Sequence, residues 1–174
     1  MIALTEPVDD NFDTVARGPE KEQPNCFAMN NPMPQTKPVT ILVVDDDDVD
    51  VMGVARALKT LKILNPLVRA RNGIEALALL RTEGAVGRPY LILLDLNMPG
   101  MNGIEMLAEL RADSALSSAV VFVLTTSEDD QDKVAAYSKH IAGYIVKKQI
   151  GDGFMRVMEM LDHYWRVVEL PIHD

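Results

Sequence analysis

A chain of 174 residues with 48% hydrophobic side chains can bury one good core, and this length suits one domain rather than two. Its formal charge of −9 argues against sequence-independent nucleic-acid binding, which depends on clustered Lys and Arg, and disfavours anionic membranes. Cys26 is the only cysteine, which excludes an internal disulfide, and no apolar run approaches the roughly 20 residues of a membrane span, so a reducing, cytoplasmic location is expected.

Residues 1–38 mix Pro, Asn, Asp and Glu with isolated apolar residues and show no sustained period, which predicts a flexible lead segment. From Thr40 onward, short apolar runs alternate with helical spacing. Strands are expected near Thr40 to Val44, Leu67 to Ala70, Tyr90 to Leu94, Val120 to Leu124 and Gly143 to Val146. Helices are expected near Asp48 to Lys62, Gly73 to Thr82, Gly103 to Ala112, Glu128 to Lys139 and Gly153 to Val168. Ser127, followed three residues later by Asp130, resembles an N-cap, and Asn72-Gly73 and Gly151-Asp152-Gly153 are turn chemistry.

Four of the apolar runs end in a chemically useful residue. Ile41-Leu42-Val43-Val44 leads into Asp45-Asp46, Leu91-Ile92-Leu93-Leu94 into Asp95, Val121-Phe122-Val123-Leu124 into Thr125, and Tyr144-Ile145-Val146 into Lys147. Continuous apolar runs between helices read as buried parallel strands, and an open α/β sheet binds ligands at the carboxyl ends of its strands. The polar residues should therefore converge. Three carboxylates brought close repel one another unless a cation is held among them, and Mg2+ suits a site built from carboxylate oxygens. Asp47, Asp48 and Asp50 read instead as a solvated acidic run opening a helix.

From Thr40 to about Trp165 the motifs Val-Val-Asp45-Asp46, Leu-Leu-Asp95-Leu-Asn97-Met-Pro99-Gly100, Val-Leu-Thr125-Thr126-Ser127 and Gly143-Tyr144-Ile-Val-Lys147 stand in order, each at a strand end. In these residues the chain resembles the receiver domains of two-component response regulators. The resemblance implies a receiver at residues 39–166 with a flavodoxin-like, doubly wound, five-stranded parallel sheet in the order 2-1-3-4-5. It also implies Asp95 as the phosphoacceptor and Mg2+ held by Asp45, Asp46, Asp95 and the backbone carbonyl of Asn97. Thr125 is implied as the switch hydroxyl, Lys147 as a phosphate-binding cation and Tyr144 as an aromatic that turns inward; a half-exposed tyrosine is the alternative. A sensor histidine kinase would supply the phosphoryl group and a downstream phosphotransfer or target protein would read it.

Receivers usually carry proline after the lysine, with a cis bond between them, whereas Lys148 follows Lys147 here. A cis bond before a non-proline residue costs roughly 2.5 to 4 kcal/mol, so a trans bond or an altered loop is expected. Few residues follow the last helix, so output by protein contact is expected. Leu-Thr-Thr-Ser, the non-proline after the lysine, and Tyr164-Trp165 with Leu170-Pro171 resemble stand-alone receivers paired with bacterial and cyanobacterial phytochrome kinases. Trp165, Val167, Val168, Leu170 and Pro171 lie past a minimal receiver core, so residues 167–174 are expected to form a homodimer contact; Trp165 capping its own core is the alternative. Two rival classes are a Mg2+-dependent phosphohydrolase with an aspartyl nucleophile and a receiver-shaped module that is never phosphorylated. The first normally needs a second aspartate where Asn97 stands.

Overall fold

The computed structural model describes residues 38–149 and 154–171. The expected lead segment, apart from Pro38, and the turn at residues 151–153 lie outside the described residues. Five strands, β1 (Thr40–Val44), β2 (Leu67–Ala70), β3 (Tyr90–Leu94), β4 (Val120–Thr125) and β5 (Gly143–Val146), form one parallel sheet in the order β2-β1-β3-β4-β5. Helices α1 (Asp48–Thr60), α2 (Gly73–Arg81), α3 (Gly103–Ala112), α4 (Asp130–Tyr137) and α5 (Met155–Val167) connect or follow them.

Both faces of the sheet are covered, and for that reason β1 and β3 are apolar without a break: all five residues of each are buried. The two-residue strand period divides their side chains between two cores. Leu42, Val44, Ile92, Leu94, Val121 and Val123 meet Leu77 of α2, Met106, Leu107 and Leu110 of α3 and Ala136 of α4. Ile41, Val43, Leu91, Leu93, Phe122 and Leu124 meet Val54 and Leu58 of α1 and Val157, Met158 and Leu161 of α5. Such burial stabilises by roughly 1.5 to 3 kcal/mol per large apolar side chain before conformational entropy is charged against it. Edge strands β2 and β5 are less deeply covered.

Helix starts follow local capping. Asn72 accepts a hydrogen bond from the Glu75 N–H, and Asn102 forms a reciprocal capping box with Glu105. The start expected at Ser127 moves two residues on: Asp129 is the cap of α4, accepting from the Gln131 N–H. The Ser127 hydroxyl bonds Asp132 at 2.5 Å instead and accepts from the Asp129 N–H.

The C-terminal extension differs from expectation in one respect. Leu170 is only 8% exposed and belongs to the α1/α5-side core, and Trp165 packs half-buried against that same cluster. Val167 and Val168 remain in water, at 83% and 39% exposure. Apolar character alone does not say which residues of such a tail fold back.

Candidate functional site

Register brings the strand ends level. Val44 pairs with Leu94, so Asp45 and Asp95 emerge side by side, joined through the Asp95 N–H donating to the Val44 carbonyl at 2.9 Å. Asp46 follows directly in the β1–α1 loop. Asp45, Asp46 and Asp95 each offer a carboxylate oxygen, and these lie within 4.8 Å of one another. Asp45 and Asp95 are buried, whereas Asp46 is exposed. Backbone donors orient the buried pair: the Asp47 N–H donates to Asp45 Oδ1 at 2.9 Å and the Asn97 N–H to Asp95 Oδ1 at 3.2 Å. Three hard oxygen donors at this spacing, one open to water, fit a divalent cation that keeps part of its hydration.

Close approach of α3 shapes the floor of the site. A Cβ on Gly103 would lie 2.5 Å from the Asp95 carbonyl oxygen and 2.8 Å from Leu96 Cα, so only glycine lets the helix begin there. The Gly103 N–H uses that closeness to donate to the Leu96 carbonyl at 3.0 Å.

Lys147, just past β5, reaches the same oxygens. Its ammonium donates to Asp45 Oδ2 at 2.8 Å and to Asp95 Oδ2 at 3.1 Å. A third partner is Asp50 Oδ2 at 2.5 Å, from the first turn of α1. This corrects the expectation that Asp50 belongs to a solvated run: its carboxylate is a wall of the site. Burial opposes the charge on Lys147, yet the hydrogen bonds it donates to Asp45 and Asp50 and the charges of Asp95 and Asp45 outweigh it, and the ammonium is held above its ordinary pKa. For Asp45, burial prevails over the bonds from Lys147 and the Asp47 N–H, and its carboxyl is pushed above the usual aspartate value.

Arg69 of β2 also escaped sequence reasoning. Its guanidinium donates from Nε and Nη2 to the Asp45 carbonyl at 3.3 and 3.2 Å and from Nη2 to the Asp46 carbonyl at 3.1 Å, and it pairs with the Asp48 carboxylate. The ion pair is exposed and adds little, although the hydrogen bond from Arg69 holds the Asp48 carboxyl below its usual range. The bonds to successive carbonyls matter more, because they fix the turn that carries two of the three acids. Asp47 and Asp48 stay at the helix entrance as expected, with Asp47 capping α1 through the Val49 N–H.

Thr125 and Tyr144 sit one step away from the acids. Thr125 is fully buried at the end of β4, and its hydroxyl oxygen accepts from the Ser127 N–H at 3.3 Å. The half-buried Tyr144 donates its hydroxyl to the Ser127 carbonyl at 3.1 Å and packs against the α2/α3/α4-side core; burial pushes its hydroxyl pKa upward. Both residues thus hold one loop, Thr125 at the Ser127 N–H and Tyr144 at the Ser127 carbonyl. Lys147–Gln149 forms a single 3-10 turn, and the one cis bond among the described residues is Arg88-Pro89. The Lys147-Lys148 bond is therefore trans, as expected from the missing proline.

Converged carboxylates and one buried ammonium at the strand ends of this topology define a class, and comparison with known proteins agrees with it. Residues 41–157 match the response regulator receiver domain, and the chain belongs to that family. It is a phosphoacceptor of two-component signalling, served by a histidine kinase. Response regulator Rcp1 of Synechocystis sp. is 36% identical over 138 residues, spanning 77% of this chain and 94% of that protein. Among solved structures, the phosphorylated cyanobacterial phytochrome response regulator RcpA superposes with a TM-score of 0.70 at 34% identity, over 78% of this chain and all of the other (100%). The manganese-bound form of Rcp1 gives 0.69 at 37% identity, with 78% of this chain and 100% of that one covered.

Proposed function

We propose that Asp95 is the residue that accepts the phosphoryl group and that Mg2+ is the cation that assists it. The observation that carries this reading is the meeting of three carboxylates from two adjacent strand ends with one buried ammonium. One Asp95 carboxylate oxygen forms a bond to phosphorus, the phosphorus–nitrogen bond of a kinase phosphohistidine breaks, and the departing imidazole keeps the electron pair and takes up a proton. When bound, Mg2+ neutralises charge on the phosphoryl oxygens. Asp45, Asp46, Asp95 and the Asn97 backbone carbonyl would hold it. Lys147 supplies a second positive charge beside Asp95, its ammonium 3.1 Å from Asp95 Oδ2. Asn97 cannot transfer a proton as an aspartate there would, so the aspartyl phosphate is a signal rather than a step in ester hydrolysis, and the protein is a receiver and not an enzyme.

Thr125 and Tyr144 make the group legible. A phosphoryl group adds about −1.5 to −2 charges and new acceptor oxygens, and it biases a two-state element only through contacts made in one state. In this reading the Thr125 hydroxyl moves to a phosphoryl oxygen, the Ser127 loop follows, and Tyr144 loses its present partner and turns inward. Thr125→Ala should still be labelled by acetyl phosphate but should lose most of the phosphorylation-dependent shift of the Tyr144 ring signals in NMR; an undiminished shift would take Thr125 out of the mechanism.

Cytoplasmic action, contact with a downstream protein and a phytochrome-type kinase complete the proposal, the last supported by the likeness to RcpA, a phytochrome response regulator. Phosphotransfer from an autophosphorylated phytochrome-type kinase should be faster than from an unrelated histidine kinase, and equal rates would remove that link. Exposed Val167 and Val168, beside half-buried Trp165, support a homodimer through the end of α5. Val167→Lys with Val168→Lys, which spares the buried Leu170, should turn a sedimenting dimer into a monomer at micromolar concentration. A wild-type chain that sediments as a monomer, phosphorylated or not, would end the dimer proposal.

A further inference from the structure

The buried ammonium and the proposed cation call on the same carboxylates. Lys147 Nζ lies on Asp45 Oδ2 and Asp95 Oδ2, two carboxylates that also belong to the cluster within 4.8 Å. A cation taking these carboxylates sets its charge beside the ammonium, and the ammonium must then withdraw. It has little water to withdraw into, because the Lys147 side chain is only 8% exposed, and a buried charge without a partner is costly. Asp50 answers that need. It is the nearest acceptor of Lys147, at 2.5 Å, yet its carboxylate stands outside the cluster formed by Asp45, Asp46 and Asp95. Its side chain is 23% exposed, against 4% and 8% for Asp45 and Asp95, so it keeps some hydration of its own.

We propose that Asp50 is a positioning residue for Lys147: a carboxylate outside the ligand set that retains the ammonium when a divalent cation takes Asp45 and Asp95. Asp50 has this part only if those acids hold the cation, as proposed above. With Asp50 present, Lys147 stays close to Asp95 while the cation binds, ready for the incoming phosphoryl oxygens. Without it, Lys147 stays on Asp45 and Asp95 and the cation must displace it outright.

A double-mutant cycle on Mg2+ affinity, measured by titration calorimetry on the full chain, separates this role from the bare charge of Asp50. Asp50→Asn should weaken Mg2+ binding about tenfold, whereas in a Lys147→Met background the same change should cost less than about twofold, since no ammonium remains to be held. Asp50→Glu should restore most of the affinity. Equal effects of Asp50→Asn in both backgrounds, with wild-type binding intact and Asp46→Ala defective, would overturn the role of Asp50 alone. A wild-type chain with no saturable Mg2+ binding would overturn the cation site and this role together.

Discussion

Asp95→Asn is expected to reduce phosphoryl uptake from acetyl phosphate by at least about a thousandfold, because an amide carries no negative charge and is a poor nucleophile toward phosphorus. The loss should be chemical rather than structural. Asparagine has the shape of aspartate, and Lys147 keeps Asp45 and Asp50 as partners at 2.8 and 2.5 Å when the Asp95 charge is gone. The Asn97 N–H still finds an oxygen at the Asn side chain. Melting temperature and labelling, measured on the same preparation, should therefore part company, with the fold kept and the label absent. Labelling at the wild-type rate would show that another residue accepts the group.

The second large effect is expected at the cation. Asp46→Ala should weaken Mg2+ binding by at least about tenfold in calorimetry, since it removes one of three carboxylate donors. This variant is informative because the Asp46 side chain is exposed while its backbone carbonyl, held by Arg69, is untouched by the substitution. The loop should keep its shape and lose only a ligand. Unchanged affinity would move the cation elsewhere. The same titration has a pH signature: a protonated carboxyl is a poor ligand, and the pKa of Asp45 is raised by burial. Affinity should thus be full above the raised value and fall as the pH drops through it, at higher pH than an ordinary aspartate would set.

Much of this architecture is legible in the residues because the sheet is covered on both faces. Under that condition every central strand must be a short unbroken apolar run, and its end is marked where the first polar residue appears. Asp45, Asp95 and Lys147 could be placed in that way, and four of the five strands have the bounds expected, β4 running on through Thr125. Helix ends were less clear, since Ser127 and Asp129 are both competent caps and the choice depends on Asp132 taking the serine hydroxyl. Asp50 was hidden by its neighbours. In a run of four consecutive aspartates followed by Val49 and Asp50, nothing local separates a solvated acid from one that meets a lysine 97 positions away. Arg69 was missed for a related reason, as a cation in a short strand reads as an edge residue, and its bonds to the Asp45 and Asp46 carbonyls exist only once β1 and β2 are paired. Leu170 shows the same limit at the other end of the chain, where folding back into the core is a tertiary event.

The most direct test of the central claim is intact-mass analysis of the wild-type protein after incubation with acetyl phosphate, with and without Mg2+. The expected result is a single added phosphoryl group per chain that requires Mg2+, is removed by hydroxylamine as an acyl phosphate is, and maps to the peptide containing Asp95. A chain that gains no phosphoryl group, or gains one that resists hydroxylamine or maps to another peptide, would contradict it.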